Sequence, residues 1–265
     1  RAKNKTSSQQ QLEGPKAEIE FWRSRRQQLS SISEQLKRKD CKYVVNTLST
    51  YTKGIKLHTK KSSTVALLRR WKQIETDTTE ALNESENNSK YLSTLYRFIE
   101  PLYSGTAQGI VDTLPALLNS IKMIYTISRY YTTEERVANM LSKITDQMII
   151  RCTQNIISCN GGNGDLWVMD STTLIKSLEA GIKLNESYQE EYRSMKRKQE
   201  ASSSDKPFDF NEMQIFGKFN LFCRRLIKLI DMFSTIDEFT VLSENKLEGM
   251  ESLIDQFMQI KQGFR

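Results

Sequence analysis

Apolar residues recur along most of this chain at the three- and four-residue intervals of an amphipathic helix. One long stripe predicts a helix that ends near Arg129-Tyr130, and its members are Ile110, Leu114, Leu117, Leu118, Ile121, Ile124 and Tyr125. The capping box of Thr132 and Glu135 predicts that a second helix follows directly. Its expected buried face is Val137, Met140, Leu141, Ile144, Met148, Cys152 and Ile156.

Further stripes predict helices on both sides of this central pair. Gly14-Pro15 suits the start of a helix whose apolar face is Ile19, Trp22, Leu29, Ile32 and Leu36. A helix from Asp165 onward carries Leu174, Leu178, Ile182, Tyr188 and Tyr192. Another carries Leu226, Leu229, Ile230, Phe233 and Ile236. The last carries Leu247, Met250, Ile254 and Phe257, with Ser243 as its expected cap.

The pattern as a whole predicts an all-α fold, an elongated stack of antiparallel helical bundles with more than about 70% helix. Sustained alternation of apolar and polar residues, which would predict strands, is missing. We expect residues 1–13 to be a flexible lead-in and residues 14–130 to form the first bundle or bundles. Residues 131–265 are expected to form further bundles, with a polar break near residues 201–207.

Charge is concentrated at one end of the chain. Residues 1–72 contain 18 Lys and Arg against 5 Asp and Glu, whereas the whole chain has 39 against 32. Such a basic third fits either a solvated face or an acidic protein partner. Patterns typical of nucleic-acid-binding modules are missing, so we expect no nucleic-acid partner. No apolar run reaches the roughly 18–20 residues of a spanning helix, so we expect no membrane insertion.

Histidine and cysteine, which often form catalytic or metal sites, are few in this chain, and their spacing does not fit such sites. His58 is the only histidine, and Cys41, Cys152, Cys159 and Cys223 form no CxxC pair. This spacing indicates free thiols in a reducing compartment and does not predict a metal site.

Gly217-Lys218 lacks the first glycine and the hydroxyl residue of a phosphate loop. The Gly161–Gly164 run fits a helix terminator better than a dinucleotide fingerprint. We therefore predict no catalytic, cofactor-binding or metal-binding residues, and no cofactor.

Several segments, in the right order, resemble the N-terminal tail of dynein heavy chains. The most specific is Gly14–Arg25, with the letters GPKAEIEFWRSR. Other similar segments are Lys90–Leu95, Pro101–Tyr103, Asp112–Leu118, Ile127–Arg136, Phe208–Phe210 and Cys223–Leu226. Leu247–Glu251 is similar to the axonemal branch of that family.

The resemblance implies a non-catalytic tail segment within an ATP-driven microtubule motor that drives ciliary movement. Its implied partners are other dynein heavy chains and the intermediate and light chains. Its implied location is the cytoplasm and cytoskeleton, in the axoneme of a cilium or flagellum. The nucleotide sites of the family lie in C-terminal parts, which agrees with the missing phosphate loop.

Partner contact is expected in the basic third, at Phe21, Trp22, Arg23, Arg25 and Arg26. Trp71 is a further aromatic candidate, although aromatics on amphipathic helices also fit the core. Two other classes remain open at this point. A helical scaffold such as a tethering-complex subunit would show the same periodicity, and a helical enzyme would need chemistry without histidine, metal or a phosphate loop.

Overall fold

The computed structural model describes residues 14–54, 63–158, 166, 170–200, 206–244 and 249–263. The longer helices are α1 (Pro15–Leu36), α2 (Lys39–Gly54), α3 (Ser63–Ser93), α6 (Ala107–Ile127), α7 (Glu134–Ser158), α8 (Ser171–Glu200), α9 (Glu212–Glu244) and α10 (Glu251–Gly263). Two single-turn helices, α4 (Tyr96–Ile99) and α5 (Pro101–Ser104), join α3 to α6.

Helices account for 89% of the described residues, and these residues contain no strand. The predicted all-α class and helix content are confirmed. The predicted lead-in of residues 1–13, His58, Cys159, the Gly161–Gly164 turn and the start at Asp165 lie outside the described residues. The described part of the polar break, from Lys206 onward, connects α8 to α9.

Two stripes predicted in the middle of the chain are buried as expected. All seven members of the first stripe are buried in α6, and all seven of the second are buried in α7. Helix α6 ends at Ile127, where the Ser128 hydroxyl donates to Asn87 Oδ1 over 2.7 Å and accepts the Tyr131 N–H over 3.0 Å. This buried serine holds the turn between α6 and α7 against α3.

The chain divides into two compact units. The first comprises the described residues up to Tyr96 together with Met123–Thr133, and in it α1 packs along α3 while α2 packs against both. Its buried apolar residues include Ile19, Trp22, Leu92, Leu95 and Tyr131. The division of the chain into bundles at residue 130 stays a prediction.

The second unit comprises Arg97–Lys122 and the described residues from Glu134 onward. Helix α9 packs against both α7 and α8, α5 packs on α7, and α10 packs on α9. Aromatic rings fill one part of this core, with Tyr188, Tyr192, Phe208, Phe210 and Phe216 in edge-to-face or tilted contact. The Phe210 N–H donates to the Tyr192 hydroxyl over 2.9 Å, so the segment before α9 is fixed to α8.

Two local predictions were wrong, and the start of α7 differs by one residue from the predicted one. Helix α7 begins at Glu134, so Thr133 directly precedes it, one residue after the predicted cap Thr132. Ser243 lies inside α9 and does not cap the last helix, which begins at Glu251. Ile32, predicted on the buried face of α1, is exposed, and the neighbouring Ser33 is buried.

Candidate interaction surface

The start of α1 positions the five residues predicted to meet a partner. Gly14 has a φ of 84°, a left-handed conformation that favours glycine, and Pro15 follows at the first helical position. The Trp22 Nε1–H donates to Glu18 Oε1, one turn earlier, over 2.9 Å. This bond fixes the indole ring against its own helix, so the local sequence determines where the aromatic pair points.

Phe21 and Trp22 lie on different sides of α1. Trp22 is only 6% exposed and belongs to the core of the first unit, whereas Phe21 is 53% exposed. Their rings meet edge to face with centroids 5.2 Å apart. The apolar ring of Phe21 is therefore exposed to solvent and packs against the buried Trp22 ring.

The three arginines that follow are exposed on α1. Arg23 Nη1 lies 2.7 Å from Glu20 Oε1, and both side chains are about half exposed. An exposed pair of this kind contributes little stability, so Arg23 can exchange its partner at small cost. Arg25 and Arg26 are exposed as well. Four of the five predicted residues are thus on the surface and Trp22 is in the core, while their assignment to a partner stays a prediction.

A second apolar surface lies on α2 and the first half of α3. Its exposed members are Tyr43, Val44, Tyr51, Val65, Leu67 and Ile74. A cavity of about 320 Å³ between the two helices is lined almost wholly by apolar atoms, including those of Trp71. The sequence carries a signal for this surface, since Cys41, Val44, Val45 and Leu48 follow the spacing of an amphipathic helix.

The second unit contains a larger cavity, of about 490 Å³, near the ends of α7 and α8. Cys152 and Lys176 are among its lining residues. Burial, together with nearby Cys223, raises the pKa of Cys152 to about 12, and burial raises the pKa of Cys223 to about 11. Because the thiolate is the reactive form, these thiols are poor nucleophiles at neutral pH.

The described residues hold no group of three or more His, Cys, Asp or Glu side chains that could bind a metal ion. The helices in the described part of the chain also include none that is long and apolar enough to cross a membrane. The described surface of the first unit carries exposed apolar and basic side chains, which suit contact with another protein.

Comparison with known proteins finds relatives over nearly the whole chain. Residues 2–265 match the family model described as dynein heavy chain, N-terminal region 1. The chain is 39% identical over 248 residues to the dynein gamma chain of the flagellar outer arm of Chlamydomonas reinhardtii, which covers 93% of this chain and 5% of that protein.

Two mammalian proteins show the same relation. Dynein axonemal heavy chain 5 of Rattus norvegicus is 36% identical over 252 residues, covering 95% of this chain and 7% of that protein. Dynein axonemal heavy chain 8 of Mus musculus is 33% identical over 252 residues, again covering 95% of this chain and 5% of that protein. The chain therefore spans about a twentieth of the length of these relatives.

Proposed function

This chain belongs to the axonemal dynein heavy chains, and we propose that it is a non-catalytic tail segment that acts as a scaffold for subunit association. The observation that carries the proposal is the match of residues 2–265, nearly the whole chain, to N-terminal region 1 of that family. The family's location is the axoneme of a cilium or flagellum, within the cytoskeleton. The intact heavy chain would be an ATP-driven microtubule motor, for which this segment supplies attachment and no catalysis.

Surface chemistry supports a scaffold role. Helix α1 of the first unit packs into the core through Ile19 and Trp22. Its exposed side chains include Phe21, Arg23, Arg25 and Arg26. Exposed apolar and arginine side chains on a rigid element are the usual composition of a protein contact. A basic face steers association with an acidic surface and sets its register more than it raises affinity.

The proposed partners differ along the chain. We assign the basic first unit to a neighbouring dynein heavy chain, because an acidic surface there would complement it. The later helices are assigned to intermediate and light chains. Nucleic acid and membrane are not proposed as partners.

Charge reversal of α1 tests this function in the intact heavy chain. Replacing Arg23, Arg25 and Arg26 with Glu should slow association with the neighbouring heavy chain at low ionic strength. The effect should shrink near 0.5 M salt, where screening acts over about 4 Å. Association rates measured by biolayer interferometry across a salt series give the comparison.

A matched control places the same charge change elsewhere. Arg224, Arg225 and Lys228 are exposed on α9 in the second unit, and their replacement with Glu should leave that association rate unchanged. If the α1 variant and the native chain associate at equal rates at every ionic strength, the basic first unit is not part of the contact. Failure of the unaltered chain to assemble with any dynein subunit would overturn the scaffold function itself.

A further inference from the structure

Helices α2 and α3 form an apolar groove that is left open among the described residues of the first unit. Val44, Val45 and Leu48 line it from α2, and Leu67, Leu68 and Trp71 line it from α3. Val44 is 55% exposed and Leu67 is 57% exposed, while Trp71 is half-buried. The lining atoms are therefore apolar and open to solvent, on two helices that are otherwise well formed.

Shape restricts what such a groove can hold. The α2 side of the groove extends over two turns of one helix face, about 10 Å along the helix axis. Its lining residues are Cys41, Val44, Val45 and Leu48. An apolar groove of this length accepts the stripe of an amphipathic helix, whose anchors recur every three or four residues. A single aliphatic side chain would leave much of the groove exposed.

Charge restricts the occupant further. In residues 37–54 and 63–74, which carry the groove, eight Lys and Arg stand against Asp40 as the one acidic residue. Arg70 and Lys72 stand on either side of Trp71 in the sequence of α3 and are exposed. Cations beside an apolar seam favour a partner helix with acidic flanks, since opposite charges across an interface set its register and orientation.

We propose that this α2–α3 groove docks an amphipathic helix with acidic flanks from another protein subunit. The inference rests on the scaffold function proposed above and names the chemistry of one partner segment. A second copy of this chain is disfavoured as the occupant, because its own groove would bring the same excess of cations into contact.

Synthetic helices provide the test with the native 265-residue chain. One stapled peptide of about 15 residues carries leucine at every third or fourth position and glutamate on both flanks. A second peptide has lysine in place of glutamate, and a third has alanine in place of leucine. Binding is measured by fluorescence anisotropy at low and at high salt.

We expect the glutamate-flanked helix to bind at least about tenfold more tightly than either other peptide, and less tightly as salt rises. The Val44→Ser and Leu67→Ser double variant should weaken its binding about tenfold or more. Both side chains are more than half exposed, so the variant should fold normally, and its thermal unfolding is recorded as a check. The Leu221→Ser variant, at a residue 53% exposed in the second unit, serves as the matched control.

Cys41 reports whether binding occurs in the groove. This half-buried cysteine lines the groove beside Asp40, whereas Cys152 and Cys223 are buried in the second unit. The glutamate-flanked helix should slow alkylation of Cys41 by N-ethylmaleimide, followed by mass spectrometry of its peptide. Binding without protection of Cys41 would place the contact elsewhere and overturn the proposal.

Other outcomes overturn it as well. If the glutamate-flanked helix does not bind, or binds no more tightly than the lysine-flanked helix, the charge argument fails and the proposal is overturned. Self-association of the chain alone that the double variant abolishes, seen by sedimentation velocity, makes a second copy the occupant. In each case, assembly of the intact heavy chain with dynein subunits is a separate measurement, so the scaffold function can stand while the groove assignment fails.

Discussion

Gly181 lies where three helices of the second unit meet. A Cβ atom added to Gly181 of α8 would lie 3.1 Å from Leu226 Cδ1 of α9 and 3.8 Å from Cys152 Sγ of α7. The first distance is shorter than an ordinary van der Waals contact, so the Leu226 side chain would have to shift if alanine replaced this glycine. Cys152 is buried beside Gly181, so its thiol is a probe of this contact.

Alkaline pH should destabilise the chain through Cys152. Burial raises the pKa of its thiol from an ordinary value of 9.0 to about 12. Stability from the protonated thiol is complete below pH 9 and is lost as the pH rises from 9 toward 12. At pH 10.5 the loss should be about 2 kcal/mol, since each unit of pKa difference corresponds to about 1.4 kcal/mol.

Urea unfolding at pH 7.5, 9 and 10.5 measures this loss. The Cys152→Ala variant should show a shallower decline of unfolding free energy between pH 9 and 10.5 than the native chain. Cys41→Ala, at a half-buried cysteine of the first unit, should follow the native decline. Identical declines for all three chains would mean that Cys152 ionises as easily in the folded chain as in the unfolded one.

At the scale of elements, polar side chains of α7 hold α5 in place, and Arg151 makes the two shortest of these bonds. Arg151 of α7 donates from Nε to the Gly105 carbonyl oxygen over 2.7 Å and from Nη2 to the Ser104 carbonyl oxygen over 2.9 Å. These carbonyls end the single turn of α5 and have no partner within it. The Gln147 and Asn155 amides add longer bonds, to the Leu102 oxygen over 3.3 Å and to the Gly105 oxygen over 3.5 Å. A charged donor at a helix C-terminus is also favoured by the helix dipole.

The Arg151→Ala variant should lower the free energy of unfolding by about 1–3 kcal/mol, because two charge-assisted hydrogen bonds are lost. Lys218→Ala is the control. Lys218 Nζ lies 2.9 Å from Asp146 Oδ2, also on α7, but this pair is solvent-exposed and should contribute less than about 1 kcal/mol. Equal losses in chemical denaturation would show that Arg151 contributes no more than a surface ion pair.

The sequence predicted elements better than their contacts. The faces of α6 and α7 were predicted residue by residue, because each helix is apolar along one stripe and polar elsewhere. In helix α1 the adjacent Phe21 and Trp22 point about 100° apart, and the predicted stripe correctly includes Trp22 and leaves out the exposed Phe21. The α2–α3 groove was not predicted as a surface, because an apolar stripe has the same pattern whether or not another helix covers it.

At the scale of the whole chain, the residues most like a phosphate loop are used for packing. Gly217, Lys218 and Phe219 lie inside α9, where backbone N–H groups bond within the helix. Phe219 is buried in the core, and the Lys218 ammonium contacts Asp146. A phosphate loop needs free backbone N–H groups around the anion, together with a hydroxyl for Mg²⁺.

We therefore expect the 265-residue chain neither to bind nor to hydrolyse ATP. Titration with a fluorescent ATP analogue and Mg²⁺ should give no saturable change up to millimolar concentrations. A dynein fragment that contains the motor region is the positive control. Stoichiometric binding at micromolar concentration that unlabelled ATP displaces would contradict the prediction.

Helix α3 is continuous, and its side chains are mostly exposed near its N-terminus and more often buried near its C-terminus. Its fully buried residues, Ser85, Asn88, Ser89 and Leu92, all lie beyond its midpoint, and its earlier turns hold none. Local opening of a helix costs little free energy where few side chains are buried. Stability therefore falls along α3 toward Ser63, and a helix docked on the α2–α3 groove would add order where α3 buries few side chains of its own. Subunit binding at one end of α3 would then stiffen a continuous rod whose other end is already fixed.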